Sequence, residues 1–372
     1  MKVIIVGAGI SGVSAAHILS KKGIKFEILE AGPVVGGRIK KCDDFADFPI
    51  DLGAEWVHKL VFARPAITSK LFAGKEKNQK IFRYIPKTIH QYKNGKLRQL
   101  NWIKYFLGII QDFKFSDSTW FDFLDSMISD EIQKHIHLNN AVTKIDYHGE
   151  KVSVLTNKGQ VFEAEKVLVT VPIKILQQGM IEFIPEIPAE QSTAINQEKV
   201  GDGIKVFMEF SERFYPDLLE VGKIPGNPFK SDSGYYDAAF GKNSNMHILA
   251  LFAHGSKATK YTCLESEEKI IKFILDELDE VFDGQASKTY KKHIIQNWSQ
   301  EPYICGSYSQ RNGDVKKMSE PLHNKVFFSG EAMNRKGRTV AVQGAIESSY
   351  MAIEKILKSK SIDSSIVSAL AL

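Results

Sequence analysis

The first residue of chemical interest in this chain is a lysine inside an apolar run. Lys205 sits in GDGIKVFMEF, a strand-like stretch that sets it between apolar neighbours. Burying an ammonium there is costly without a partner or water. Fixed in place, it would stabilise negative charge developing beside it. A second group lies in DLGAEWVH, residues 51–58, where His58 follows Trp56 by two. In an extended segment those two side chains share a face. Asp51, Leu52, Gly53 and Ala54 form a tight passage where backbone can come close to another body, and Glu55 puts an acid next to it. A third group is Gly7-Ala8-Gly9-Ile10-Ser11-Gly12, followed by Glu30 18 residues past the last glycine.

These groups need elements to position them, and the amino terminus supplies the clearest ones. Val3–Val6 is a β-branched run, read as a buried parallel strand. Helical spacing runs from Ser14 to Leu19 and stops at Lys21-Lys22-Gly23, and a second strand, Phe26–Leu29, ends on Glu30. With strand before, helix after and acid beyond, G-x-G-x-x-G marks a dinucleotide site. Gly7 permits the turn, Gly9 admits the pyrophosphate, and Gly12 lets helix and strand pack closely. Ile10 and Ser11 open the helix whose free N–H groups meet phosphate. Glu30 would accept both ribose hydroxyls. These residues alone leave FAD and NAD open.

Six residues after Glu30 comes Gly36-Gly37-Arg38. Glu30 followed by this Gly-Gly-Arg resembles the FAD-binding signature of the flavin amine oxidase family, which includes monoamine and polyamine oxidases. One departure is Val34, where that family usually has arginine. GAEWVH resembles the Gly-Ala-x-Trp-Ile-His stretch of polyamine oxidases, although Lys59 replaces the glycine that usually follows. The resemblance implies that the backbone of Gly53, Ala54, Glu55 and Trp56 lies against the flavin and that His58 faces a substrate amine. It also implies a water link between Lys205 and flavin N5. In NWSQEPYICGSYS, residues 297–309, it sets Trp298 beside the flavin and Tyr308 as an aromatic wall. Ser307 stands where monoamine oxidases carry a covalently attached cysteine, which implies non-covalent FAD. Gly330 and Glu331 resemble the pair near the ribityl chain. Ala341 and Val342 would present backbone N–H to the flavin, with no second cage tyrosine. The backbone at Val142 would meet the adenine.

The expected fold class is α/β: a Rossmann-like FAD-binding domain with a β-meander, plus an inserted α+β substrate domain. Residues 141–175 alternate in period two and return to the parallel sheet at Val167–Val171. The FAD-binding domain is therefore expected to be discontinuous, made of 1–75, 136–178 and 292–372. Residues 76–135 and 179–291 form the substrate-binding or lid part, with an amphipathic helix at about 265–282. Trp120, Phe123, Leu124, Met127 and Ile128 follow helical spacing after a Ser or Asp cap.

The bulk numbers fit this. A hydrophobic fraction of 43% and a charged fraction of 25% are ordinary for a globular protein. The net charge of +5 is spread without a like-charged block, so no nucleic-acid partner is expected. Cys42, Cys263 and Cys305 are odd in number and widely spaced, which argues against a disulfide framework and a zinc site. No leader and no membrane span are expected, and the location is read as cytoplasmic. The resemblance implies FAD-dependent oxidation of a small-molecule amine: hydride to flavin N5, hydrolysis of the imine, and reoxidation by O2 to peroxide or by another acceptor. Lys205, His58 and Tyr308 are the catalytic candidates. The rivals are a dehydrogenase or desaturase acting on a non-amine, a renalase-like enzyme, and a non-catalytic FAD-binding protein. The residues name neither the amine nor the oligomeric state.

Overall fold

A computed structural model describes residues 1–58, 80–100, 112–222, 233–310, 312–335 and 341–362. The amino-terminal strand Lys2–Val6 lies at the centre of a five-stranded parallel sheet, between Lys25–Leu29 and Lys166–Val169. Ile136–His137 and Val326–Phe328 complete its edges. Alternation along the strand divides its side chains between two cores. Val3 and Ile5 face the helices Ile10–Lys21 and Val342–Lys358, whereas Ile4 and Val6 face the meander. The meander strands Val142–Asp146, Val152–Thr156 and Val161–Ala164 pair antiparallel in sequence.

A seven-stranded sheet forms the second body. Next to one edge, Gly203–Phe210 pairs antiparallel with His247–His254 on one side and with the edge strand Tyr290–Asn297 on the other. One face, carrying Ile204, Val206, Met208 and Phe210, packs under the helix Glu267–Phe282. The other face carries Phe207, Ala250 and Tyr236 and packs on residues 42–52. The chain thus has the expected α/β class, with a Rossmann-like sheet and an added α+β body.

Three stretches sit differently from the expected division. Trp120, Phe123, Leu124, Met127 and Ile132, placed with the lid by sequence, are buried in the same core as the first helix. Their short helix Trp120–Asp125 is capped by Thr119, not by Ser or Asp, in a reciprocal bond with Asp122. Glu182–Ile184 pairs with Val142–Asp146 and extends the meander beyond residue 178. Tyr290–Asn297 is an edge strand of the seven-stranded sheet, so the division at 291/292 falls inside one strand. In each case tertiary packing, which local spacing does not encode, decides the neighbour.

Candidate active site

The amino-terminal turn is built for close approach. A Cβ added at Gly12 would stand 2.0 Å from the Gly7 carbonyl oxygen, so only glycine lets the helix start so near the strand. Gly7 itself has φ +104. The first helix begins at Ile10 with no side-chain cap on its N–H groups. Ser11 reaches across to Ser329 at 2.6 Å, which ties the helix start to the turn before Gly330. Gly9 bridges Gly36, and Gly37 follows at φ +57.

Glu30 closes this cradle. Its carboxylate accepts the N–H of Ala8 at 2.6 Å and of Gly32 at 2.8 Å. Burial pushes its pKa up, against the lowering pull of those backbone bonds. No lysine or arginine pairs with it among the ion pairs of the described residues. A carboxylate has about four lone-pair sites, so room for hydroxyl donors remains. Asn140 donates its backbone N–H to the Glu30 carbonyl, and its Oδ1 is buried without a hydrogen-bond partner among the described residues. That orphaned acceptor, the uncapped helix and the open carboxylate suit a dinucleotide with ribose and phosphates. Val142 lies two residues beyond Asn140, at the start of its strand.

Arg38 and Glu331 form the next station. Arg38 Nη1 donates to the Ser307 carbonyl at 2.6 Å and meets Glu331 at 3.1 Å. Glu331 also accepts the N–H and hydroxyl of Ser309. Its side chain therefore locks the Ser307–Ser309 segment in place. Ala341 caps the helix Val342–Lys358 with extended backbone and no side-chain bond, which leaves Val342 and the next N–H groups unclaimed by a cap.

Residues 51–56 lie between these stations and the seven-stranded sheet. A Cβ at Gly53 would come 1.9 Å from the Arg38 carbonyl oxygen and 3.0 Å from the Trp298 ring. Trp298 donates its indole N–H to the Leu52 carbonyl at 3.1 Å. Ala54 donates to the Arg38 carbonyl at 3.2 Å. Lys205, buried on the facing strand, holds the same passage: its ammonium donates to Asp51 O at 2.7 Å, Gly53 O at 3.1 Å and Glu55 Oε2 at 2.6 Å.

Glu55 is the centre of a charge cluster that the sequence did not disclose. Lys114 pairs with its other oxygen at 2.6 Å, and the Tyr236 hydroxyl donates to Oε2. The Lys114 ammonium also stands 5.2 Å from the Trp56 ring, 5.6 Å from Tyr84 and 4.9 Å from Tyr236, within cation–π range. Burial by itself would raise the Glu55 pKa, but Lys114 and Lys205 outweigh it and hold the carboxyl well below its ordinary value. Asp51 is pushed the other way by burial and by Glu55. Lys242, half-buried beside this cluster, is lowered to about 8 by burial and by Lys114.

Two of the catalytic candidates, Lys205 and Tyr308, are held in this region by bonds to neighbouring segments: Lys205 to residues 51–55, Tyr308 through Ser307 and Ser309 to Arg38 and Glu331. Tyr308 is half-buried, its ring 5.0 Å from His254, and burial raises its pKa, with Glu331 adding to the effect. For His58 only the backbone is described, pairing with Asp112; its side chain lies outside the described residues. Sequence reading missed Lys114, Tyr236 and His254. Lys114 carried the same signal as Lys205, a lysine flanked by aromatics in the strand Asp112–Phe115.

Comparison with known proteins decides the family. The model of the flavin containing amine oxidoreductases matches residues 109–357, more than half of the chain. The chain belongs to that family. An NAD(P)-binding Rossmann-like model matches residues 5–73 as well. Polyamine oxidase 5 of Oryza sativa subsp. japonica is 25% identical over 95% of this chain and 87% of its own length. Lysine-specific histone demethylase 1B of Mus musculus is 31% identical over 54% of this chain, but this chain spans only 25% of that protein. Putrescine oxidase, solved with putrescine bound, superposes with a TM-score of 0.77 at 17% identity, over 96% of this chain and 99% of that one; this likeness bears on fold alone. The chain is thus an FAD-dependent oxidoreductase of the amine oxidase family, with non-covalent FAD. No described helix is long and apolar enough to cross a membrane.

Proposed function

We propose that this chain oxidises the C–N bond of a small amine, in the manner of a polyamine oxidase. The observation that carries this reading is the joining of Lys205 to Asp51, Gly53 and Glu55 on a sheet face that also approaches Tyr308. FAD would be held by the Gly7–Gly12 turn, Glu30, Gly36–Arg38, the backbone of residues 53–56, Val142, Trp298, Gly330–Glu331 and the Ala341–Val342 helix start. When bound, FAD supplies a two-electron acceptor that takes hydride from the amine-bearing carbon, and the resulting imine hydrolyses in water. Lys205 would set the charge beside the reacting centre, Tyr308 would wall it, and His58 would face the amine.

The acids bear on substrate choice. Glu55 is matched by two lysines, Asp237 pairs with Arg213 at 2.9 Å, and Asp202 accepts the hydroxyls of Thr259 and Ser299. These three carboxylates are therefore engaged, which favours an amine with one charged end over a long polyamine held by several acids. A second reading, electron delivery to an acceptor other than O2, is favoured by Lys205. A lysine has three donors, and three bonds from the Lys205 ammonium go to Asp51, Gly53 and Glu55.

Anaerobic titration of the FAD-loaded protein with spermine, spermidine, their acetylated forms, benzylamine and amino acids tests the reading through flavin absorbance. Bleaching by one class is expected, with mono-charged amines ahead. Absence of bleaching by every amine would overturn it. Slow return of colour on admitting air would favour the second reading.

A further inference from the structure

His254 ends the strand His247–His254 of the seven-stranded sheet, and nothing so far has given it a task. The register fixes where it faces. Residues directly opposite in an antiparallel pair share a sheet face. Lys205 is opposite Phe252, and Gly203 is opposite His254. With the two-residue period of a strand, Lys205, Phe252 and His254 therefore lie on the same face, and glycine at 203 lets Ser307 pack over it, a built Cβ there standing 2.5 Å from Ser307 Cβ, which brings the segment carrying Tyr308 against this end of the strand. The His254 ring is 5.0 Å from Tyr308 and 5.8 Å from Phe252, so three rings make one continuous wall. Its neighbours in charge are Lys257 on the following turn, Lys205 on the paired strand, Asp202, whose carbonyl accepts the Gly255 N–H, and Glu331 behind Tyr308. The half-buried imidazole makes no hydrogen bond with either ring nitrogen among the described residues.

We infer that His254 is a substrate-contacting residue of the amine site, which accepts the proton a substrate ammonium must lose before its carbon can give up hydride. This rests on the amine-oxidase reading above. An ammonium keeps no lone pair to stabilise the developing iminium, so a substrate that enters as the ammonium has to lose a proton in the site before it reacts. In the step the ammonium N–H bond breaks and an imidazole N–H bond forms; the proton then passes to solvent. A neutral imidazole is required at working pH. Burial and Lys257 both hold the His254 pKa below its ordinary value, which suits that need. The aromatic wall offers its ring faces to the remainder of the amine.

Benzylamine and spermidine are the probes, with stopped-flow flavin reduction and kcat/KM measured across pH. General base groups of this kind typically contribute about a hundredfold or more. His254→Phe, which keeps the ring stack, is expected to lower kcat/KM by about a hundredfold and to replace the limb set by the imidazole with one at the more alkaline pKa of the substrate amine. His254→Gln, which keeps an acceptor but no titration, is expected to recover KM without recovering that limb. FAD content and melting temperature should stay at the wild-type values in both. If wild-type flavin is bleached by either probe while both variants match it in rate and profile, the His254 assignment fails and the amine reading stands. If neither probe bleaches wild type, the amine reading fails and takes this assignment with it.

Discussion

Glu30 and Glu55 are both buried acids next to glycine-rich backbone, yet the protein treats them in opposite ways. Among the described residues Glu30 receives only backbone N–H groups, from Ala8 and Gly32, and burial leaves its pKa raised. Glu55 receives Lys114 on one oxygen and Lys205 with Tyr236 on the other, and these lysines override burial and hold its pKa down. The first carboxylate is left partly unanswered, which is what a ligand-binding acid needs. The second is answered within the chain, which is what a structural acid needs. Burial alone does not separate a binding residue from a scaffold residue; the count and charge of the donors already in place do.

The largest expected effect comes from breaking the self-contained side. Glu55→Ala would leave the ammoniums of Lys114 and Lys205 buried without their counter-charge. Removing one partner of a buried ion pair typically costs about 3–5 kcal/mol. Urea unfolding of the FAD-loaded protein measures this, and a loss below ~1 kcal/mol would mean the pair behaves like a surface one. Glu55→Gln, which keeps an acceptor for Lys205, should fall between wild type and the alanine variant.

A smaller effect, and of another kind, is expected on the open side. On the proposed reading Glu30→Ala would remove a charged acceptor from the ribose, and hydrogen bonds to charged groups are worth about 1.5–3 kcal/mol. FAD affinity should therefore fall by roughly ten- to hundredfold, read by quenching of free-FAD fluorescence. Unfolding of the FAD-free protein should change less than in Glu55→Ala. Equal losses of affinity and stability at Glu30 would erase the distinction between the two acids.

The same contrast explains what was readable in the sequence. Gly7, Gly9, Gly12 and Glu30 fall within one strand–helix–strand unit, so spacing along the chain is also spacing in space. The meander and the helix at Glu267–Phe282 were legible for a similar reason, since period and turn residues are local. Glu55, Lys114 and Lys205 come from three distant segments: pairing of Asp112–Phe115 with Val57–His58 brings in Lys114, and the sheet packing on residues 42–52 brings in Lys205. Lys205 could be flagged as a lysine needing a partner, but the partner's identity depends on strand order. His254 depended on register: only its position opposite Gly203 puts it on the Lys205 face. Helix 120–125 was recognised from its spacing, yet its place in the amino-terminal core followed from tertiary contact with the first helix.

The smallest expected effect is the pH dependence, and the two acids should differ in its sign. Glu30 has its folded pKa above its ordinary 4.5. The stability it contributes to the FAD-free fold is therefore fully present below pH 4.5 and is lost as pH rises through the raised value. FAD binding is expected to run the other way, because ribose hydroxyls would donate to the ionised carboxylate; affinity should decline as pH falls from 7 toward 5. Glu55 has its folded pKa below 4.5, so its contribution is in place above pH 4.5 and is lost only as pH falls through the lowered value. Between pH 7 and 5, then, Glu55 should add no slope to stability, and the slope in FAD affinity should belong to Glu30. Measuring FAD affinity at several pH values in wild type and Glu30→Gln decides it. A flat profile in the variant assigns the slope to Glu30. A slope that survives in Glu30→Gln moves the titration to another group and removes the open carboxylate from the account of FAD binding.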